Sequence, residues 1–143
     1  GTDAEGLDPL RVVVDTNVLA YLLIEGDRTK QAQALFAKDS DWRSEAVLLV
    51  EFSNVLATYR RMHALSSHQT ESLLAEAASR VRELLNLPNL RALRCAERFA
   101  VSAYDARFLA AADTLGTKLV TEDAKLRAAA PDLTRSLAQA LAA

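Results

Sequence analysis

Short apolar runs alternate with longer amphipathic stretches along this chain. Val12–Val14 is brief, continuous and β-branched, the pattern of a strand buried on both faces. It runs directly into Asp15, Thr16 and Asn17. Thr16 is placed to cap a helix reaching about Ile24, which "EGDR" breaks. Residues 30–38 predict a second helix. "DWRS" reads as a short extended piece, with Ser44 as the cap of the next helix. From Glu45 to about Met62, Leu48, Phe52, Val55 and Tyr59 recur at helical spacing. Ser66 and Gln69 fit a capping box opening a long helix to about Arg82. "LLNLP" is a candidate short strand. Asn89 is placed to cap a helix through Phe99, and Ser102 another that stops at Gly116. "KLVT" is the last clear strand, and "EDAKLRAAA" is a short helix that Pro131 helps to end. The tail fits a short strand and then a helix.

Strands alternating with helices predict a parallel sheet covered on both faces, an α/β architecture. Ligands in such sheets gather beyond the carboxyl ends of the strands, where Asp15 and Asp123 both fall. With no repeat or long linker, residues 11–143 read as a single domain. Half of the 143 residues are hydrophobic, enough for a sizeable core. No apolar run reaches the ~20 residues of a membrane span. Cys95 is the single cysteine, so no internal disulfide forms, which fits a reducing compartment and a cytoplasmic location. The single methionine is Met62, and residues 1–10 are read as a leader or an expression remnant.

Four carboxylates stand in apolar settings. Asp15 follows "VVV" and Asp123 follows "LVTE". Glu51 adjoins the apolar stripe of its helix, and Asp105 lies in the first turn of "SAYDARFLAAA". Each has an ordinary structural explanation: Asp15 as a helix start, Asp105 three after a capping serine, Asp123 near another helix start. Glu51 is the hardest to explain that way, because acids in mid-helix usually face water. Buried carboxylates are costly unless paired or bound to a cation. Several converging on one point repel, and at least one pKa rises unless a cation sits between them. Oxygen donors without histidine or thiolate suit a hard cation, Mg²⁺ or Mn²⁺.

"VVVDTNVLAYLL", "EFSNVL" and "SAYDARFLAAADTLGTKLVTEDAKL" together resemble the PIN-domain ribonucleases, especially the VapC-type toxins of prokaryotic toxin–antitoxin pairs. The resemblance runs from residue 11 to about 130. It implies a three-layer α/β/α sandwich with a mostly parallel sheet of four or five short strands. It places Asp15, Glu51, Asp105 and Asp123 at the family's four metal-holding acidic positions, with Asn17 and Thr121 as supporting polar groups. Glu45 lacks the asparagine three residues on that Glu51 has in Asn54, and is set aside. So is Asp113, about 80° round an ideal helix from Asp105. The implied activity is metal-dependent hydrolysis of RNA phosphodiester bonds, and the implied partners are a cognate VapB-like antitoxin and a second copy of the chain. "VLAYLLI" and "ALFA" in the first two helices are apolar enough to offer a partner groove, although core packing accounts for most of them.

The net charge of −2 does not exclude a nucleic-acid partner. If four of the 19 acids hold cations, the remaining 15 against 17 Lys and Arg leave a net +2. Arg91, Arg94 and Arg98 fall on one side of a predicted helix and are candidate phosphate contacts, with Arg107, Arg60 and Arg61. A solvated helix face is the ordinary alternative for each. Most aromatic residues occupy core-like positions, which points to recognition of RNA by shape or a few polar contacts rather than stacking. His63, His68 and Cys95 receive no catalytic role. The competing reading is a PIN-like RNA-binding or protein-interaction module that does not cleave. A dehalogenase-like phosphatase also fits poorly, since it wants an aspartate where Asn17 stands.

Overall fold

The structure, a computed structural model, describes residues 11–143, so the leader reading for residues 1–10 lies outside the described residues. Five strands, β1 (Val12–Val14), β2 (Trp42–Glu45), β3 (Val81–Leu85), β4 (Leu119–Val120) and β5 (Thr134–Arg135), form one sheet in the order β3-β2-β1-β4-β5. Every pairing in it is parallel. The helices are α1 (Thr16–Leu23), α2 (Thr29–Lys38), α3 (Val47–Arg61), α4 (Ser67–Arg80), α5 (Asn89–Phe99), α6 (Ala103–Thr114), α7 (Ala124–Ala129) and α8 (Leu137–Ala142).

Strand order and crossover handedness together dictate the layers. Parallel crossovers are right-handed. The chain steps from β1 to β2 to β3 in one direction, which puts α1 to α4 on one face. It then returns across β1 to β4 and β5, which puts α5 to α7 on the other. Helix packing agrees: α1 meets α2, α3 and α4, whereas α6 meets α5 and lies against β1, β2 and β4. α8 closes the first layer against α2. The fold is the expected three-layer sandwich, with a sheet that is parallel throughout. The reversal between β1 and β4 is a topological switch point, the place where such sheets open a crevice for ligands.

The core follows from the sequence pattern. Val12, Val13 and Val14 are buried at the sheet centre, sandwiched between Leu19, Leu48 and Phe52 of one layer and Phe108, Leu109 and Ala112 of the other. The capping box of Ser66 and Gln69 forms, as does the Ser102 cap of α6. α6 ends at Thr114, and Gly116 follows with φ +68°, a conformation that would strain an L side chain.

Four boundaries differ from the sequence reading. Asp15, not Thr16, caps α1, and Thr16 is its first helical residue. Ser44 does not cap a helix: it is buried in β2 and its hydroxyl donates to the Val14 carbonyl oxygen at 2.6 Å, across to β1. β3 starts at Val81, ahead of "LLNLP", and α4 stops at Arg80 instead of Arg82. β3 is an edge strand, so its Arg82 and Glu83 face water and no continuous apolar run marks it. Asn89 does not cap α5, which begins after Pro88 without a side-chain cap; its amide oxygen accepts from Arg107 instead.

Candidate active site

Asp15, Glu51, Asp105 and Asp123 all line one open cavity of about 570 Å³ at the switch point. Each arrives from a different element. Asp15 ends β1 and caps α1, where its Oδ1 accepts from the Val18 amide at 3.1 Å. Asp123 follows β4 and caps α7, where its Oδ1 accepts from the Lys125 and Leu126 amides at 2.9 and 3.2 Å. Asp105 occupies the first turn of α6. Three carboxylates therefore sit at helix N-termini, where backbone N–H groups favour negative charge. The capping bonds at Asp15 and Asp123 each use Oδ1 alone, so a second carboxylate oxygen is left for the cavity. The capping and functional readings of these residues are compatible.

Glu51 has no helix end to hold it. It projects from the middle of α3, where the Thr16 hydroxyl donates to its Oε1 at 2.6 Å. Thr121 is buried beside the other two strands' acids. Its Oγ1 accepts from the Asp123 backbone amide at 3.1 Å, and its hydroxyl favours the charged form of the Asp15 carboxylate. The register Val14↔Val120 sets this up, since it leaves Asp15 and Thr121 side by side one step beyond the paired strands.

Asp15 is the electrostatic centre. It is 8% exposed, and among the described residues no Lys or Arg side chain pairs with it. Burial raises its pKa to about 6, with the nearby carboxylates of Asp105 and Asp123 adding to the rise and Thr121 and the Val18 amide opposing it. Asp105 is also raised, by burial first and by the charge of Asp123 second. The carboxylates share the cavity without closing on one point: among the described residues, no three His, Cys, Asp or Glu side chains form a ready ion cage. The lining also includes Asn17, Asn54, Tyr104 and the exposed Val50.

The acids set aside have other work. Glu45 is 1% exposed, and its carboxylate accepts from the Val47 and Leu87 amides at 2.7 and 3.0 Å and from Arg107 at 2.8 Å. Asp113 is exposed and pairs with Arg91 at 3.3 Å. Glu122 turns away from the cavity to bind Arg28 at 2.8 Å and the Leu137 amide at 2.7 Å. The candidate RNA-contacting arginines divide in the same way. Arg107 is committed internally, to Glu45, the Leu87 carbonyl and Asn89. Arg91, Arg94 and Arg98 line a separate cavity of about 500 Å³ along α5 that contains none of the four acids. Arg60 and Arg61 are exposed near the end of α3, bonded to Ser67 and Thr58.

Thr16 and Tyr104 are the polar cavity residues that sequence reasoning missed. Tyr104 adjoins Asp105 in the chain, which was the available signal. Thr16 sits where a cap was expected, and its bond to Glu51 crosses 35 residues, so no local pattern announces it. Asn54, one turn after Glu51, lines the cavity although an amide there is more often a surface residue.

Among the described residues, no helix is long and apolar enough to cross a membrane. The chain is similar to Ribonuclease VapC3 of Pyrobaculum aerophilum, with 26% identity over 128 residues that cover 87% of this chain and 98% of that protein. Among solved structures it resembles PAE2754 from the same organism, with a TM-score of 0.74, 21% identity, and coverage of 93% of this chain and 96% of that one. It also resembles VapBC2 from Rickettsia felis, solved bound to a DNA fragment from their promoter, with a TM-score of 0.66, 17% identity, and coverage of 89% and 98%. The family model of the PIN domain matches residues 12–131, a span that holds all four cavity acids, and the chain belongs to the PIN-domain family.

Proposed function

We propose that this chain is a metal-dependent endoribonuclease that hydrolyses RNA phosphodiester bonds, acting as the toxin of a VapBC-type pair and restrained by a VapB-like antitoxin. One observation carries the chemistry: Asp15 is buried among other carboxylates, and among the described residues no cationic side chain pairs with it. A site that keeps such a charge needs a cation that the protein itself does not supply. The donor set fits a hard divalent ion. It offers oxygen atoms only, and an open cavity suits Mg²⁺, which binds through one or two carboxylates and keeps several waters. Mn²⁺ accepts the same donors.

Asp15, Asp105 and Asp123 would hold the ion, with Glu51 joining directly or through water. When bound, the ion supplies activation of water and neutralisation of charge on the phosphate. The chain supplies the rest. Thr121 anchors the Asp123 backbone through its amide, and its hydroxyl favours the charged form of Asp15. Thr16 orients Glu51. Asn17 and Asn54 offer neutral donors at the cavity wall, where a phosphate oxygen can accept without adding to the carboxylate charge. No histidine enters this chemistry: His63 and His68 are both exposed, beyond the cavity. The similarity to Ribonuclease VapC3 supports RNA as the substrate, and the resemblance to the VapBC2 assembly supports an antitoxin partner. Homodimerisation and a cytoplasmic location belong to the same proposal.

The test is cleavage of a mixed pool of structured RNAs by the purified chain, with Mg²⁺, Mn²⁺ or EDTA, and with Asp105→Asn as the control for contaminating nuclease. Cuts that require the ion and fall at least a hundredfold in the variant are expected. Cuts that persist in EDTA or in the variant would overturn the proposal.

A further inference from the structure

The chain has three tyrosines, and all three line the catalytic cavity or the groove that continues from it. Tyr104, on the first turn of α6 beside Asp105, is 63% exposed on the cavity wall. Tyr21 and Tyr59 are half-buried in a second cavity of about 340 Å³, which shares Asn17 and Val55 with the first. Of the other aromatic rings, Trp42, Phe52 and Phe108 are fully buried, Phe36 packs edge-on against Trp42, and Phe99 packs against the core under Arg98 in the separate cavity along α5. A single exposed tyrosine is ordinary. Tyr21 also packs against the core, but Tyr59 and Tyr104 lie outside it, and core packing does not account for their place on the cavity and its extension.

The groove also carries charge of both signs. Glu25 and Asp27 lie exposed along it, where they repel a phosphate backbone. In the same groove, the exposed Arg28 guanidinium lies 6.0 Å from the Tyr21 ring centroid and is paired with Glu122 at 2.8 Å. Arg28 thus offers a planar surface that is already charge-balanced, better suited to a base face than to a phosphate. Exposed acids beside flat rings favour bases over phosphates in this groove.

We infer that Tyr104 on one side, and Tyr21, Arg28 and Tyr59 on the other, form a base-stacking track that selects single-stranded RNA for the catalytic cavity. This rests on the ribonuclease reading above. Tyr104 comes from the α5–α7 layer, and Tyr21 and Tyr59 come from the opposite layer, so the track crosses the switch point where the carboxylates stand. Asp15 and Tyr21 are six residues apart along α1, about 9 Å, on the order of one to two nucleotides. Paired bases are stacked within their helix and cannot offer their faces, whereas unpaired bases can be splayed onto aromatic rings. The expectation from sequence, that stacking contributes little, is the opposite one, and the experiment below decides between them.

The experiment is steady-state cleavage of a labelled hairpin RNA with an unpaired loop, in Mg²⁺, with hexauridylate, hexaadenylate and a fully paired RNA duplex as competitors. Wild type is compared with Tyr21→Leu, Tyr59→Leu and Tyr104→Leu, and with the phenylalanine variant at each position. The hexamers are expected to compete at least tenfold better than the duplex. Each leucine variant is expected to raise KM and the hexamer inhibition constants about tenfold, and phenylalanine to restore both. Leucine variants with unchanged KM and inhibition constants, or a duplex that competes as well as the hexamers, would overturn the track while leaving the nuclease in place. No ion-dependent cleavage by the wild-type chain would overturn the nuclease reading and the track with it.

Discussion

Two carboxylates end neighbouring strands of the same sheet, and they meet opposite fates. Glu45 ends β2 and Asp15 follows β1, and both are buried. Glu45 is fully answered by a guanidinium and two backbone amides. Its neighbour is answered by one amide and one hydroxyl, and otherwise faces more negative charge. Burial alone therefore does not mark a site. The partner does: a buried acid with a built-in cation holds the fold together, and a buried acid without one awaits a cation from outside. Arg107 makes the contrast sharper. It lies two residues beyond Asp105, so the clasp on Glu45 also fixes the first turn of α6 that presents Asp105.

The largest effect is expected from breaking the answered carboxylate. Arg107→Ala leaves the Glu45 charge buried and unpaired, at a cost of about 3–5 kcal/mol. Chemical denaturation should show it, and Glu45→Gln combined with Arg107→Ala should cost less than the two single changes added. A loss below about 1 kcal/mol in Arg107→Ala would mean that the clasp is dispensable.

The unanswered carboxylate should behave with the opposite sign. Its folded pKa of about 6 lies above the ordinary 3.8. Between those values the folded chain keeps a proton that the unfolded chain has released, so the stability contributed by Asp15 falls as pH rises, and the full cost stands above about pH 6. Asp15→Asn keeps a good helix cap and removes the charge. In EDTA at pH 7.5 it should stabilise the chain by about 2 kcal/mol. The advantage should vanish below pH 4, and thermal melts across that range would show it. Mg²⁺ should raise the wild-type melting temperature and leave the variant's nearly unmoved. A variant that loses stability in EDTA would contradict the contrast.

A smaller effect tests whether Glu51 belongs with the unanswered group. Thr16→Val removes the hydroxyl that donates to it and preserves shape. About 1 kcal/mol of stability should be lost, and the cleavage rate should fall a few-fold. Unchanged kinetics would show that the Glu51 carboxylate is held by something else.

Much of this molecule is legible in its sequence for a simple reason. The central strand is continuously apolar, and helix caps are local signals, so β1, the capping box of α4 and the Ser102 cap of α6 read directly. The four acids read because polar groups interrupt apolar context at each of them. What did not read depends on partners far away in the chain. β3 hides because this edge strand exposes two consecutive charged residues, Arg82 and Glu83, and shows neither a continuous apolar run nor an alternation. Arg107 looked like a phosphate contact because its three partners lie 18 to 62 residues away. Ser44 looked like a cap because a strand serine bonded to a neighbouring strand has the same local sequence as a helix start. The reversal of strand order, which puts Asp15 next to Thr121 and Asp123, leaves no trace in any short window.

That reversal also sets the order in which a nascent chain acquires its chemistry. β1 emerges first, yet one of its two neighbours is β4, more than a hundred residues later. By the end of α4 the chain has made β1, β2 and their covering layer, and it carries Asp15 and Glu51 only. Asp105 and Asp123 arrive with α6 and the turn after β4. Translation interrupted anywhere before residue 123 thus releases a fragment that lacks part of its acidic cluster. On the proposed ribonuclease reading, the complete carboxylate set is therefore present only once synthesis has passed β4.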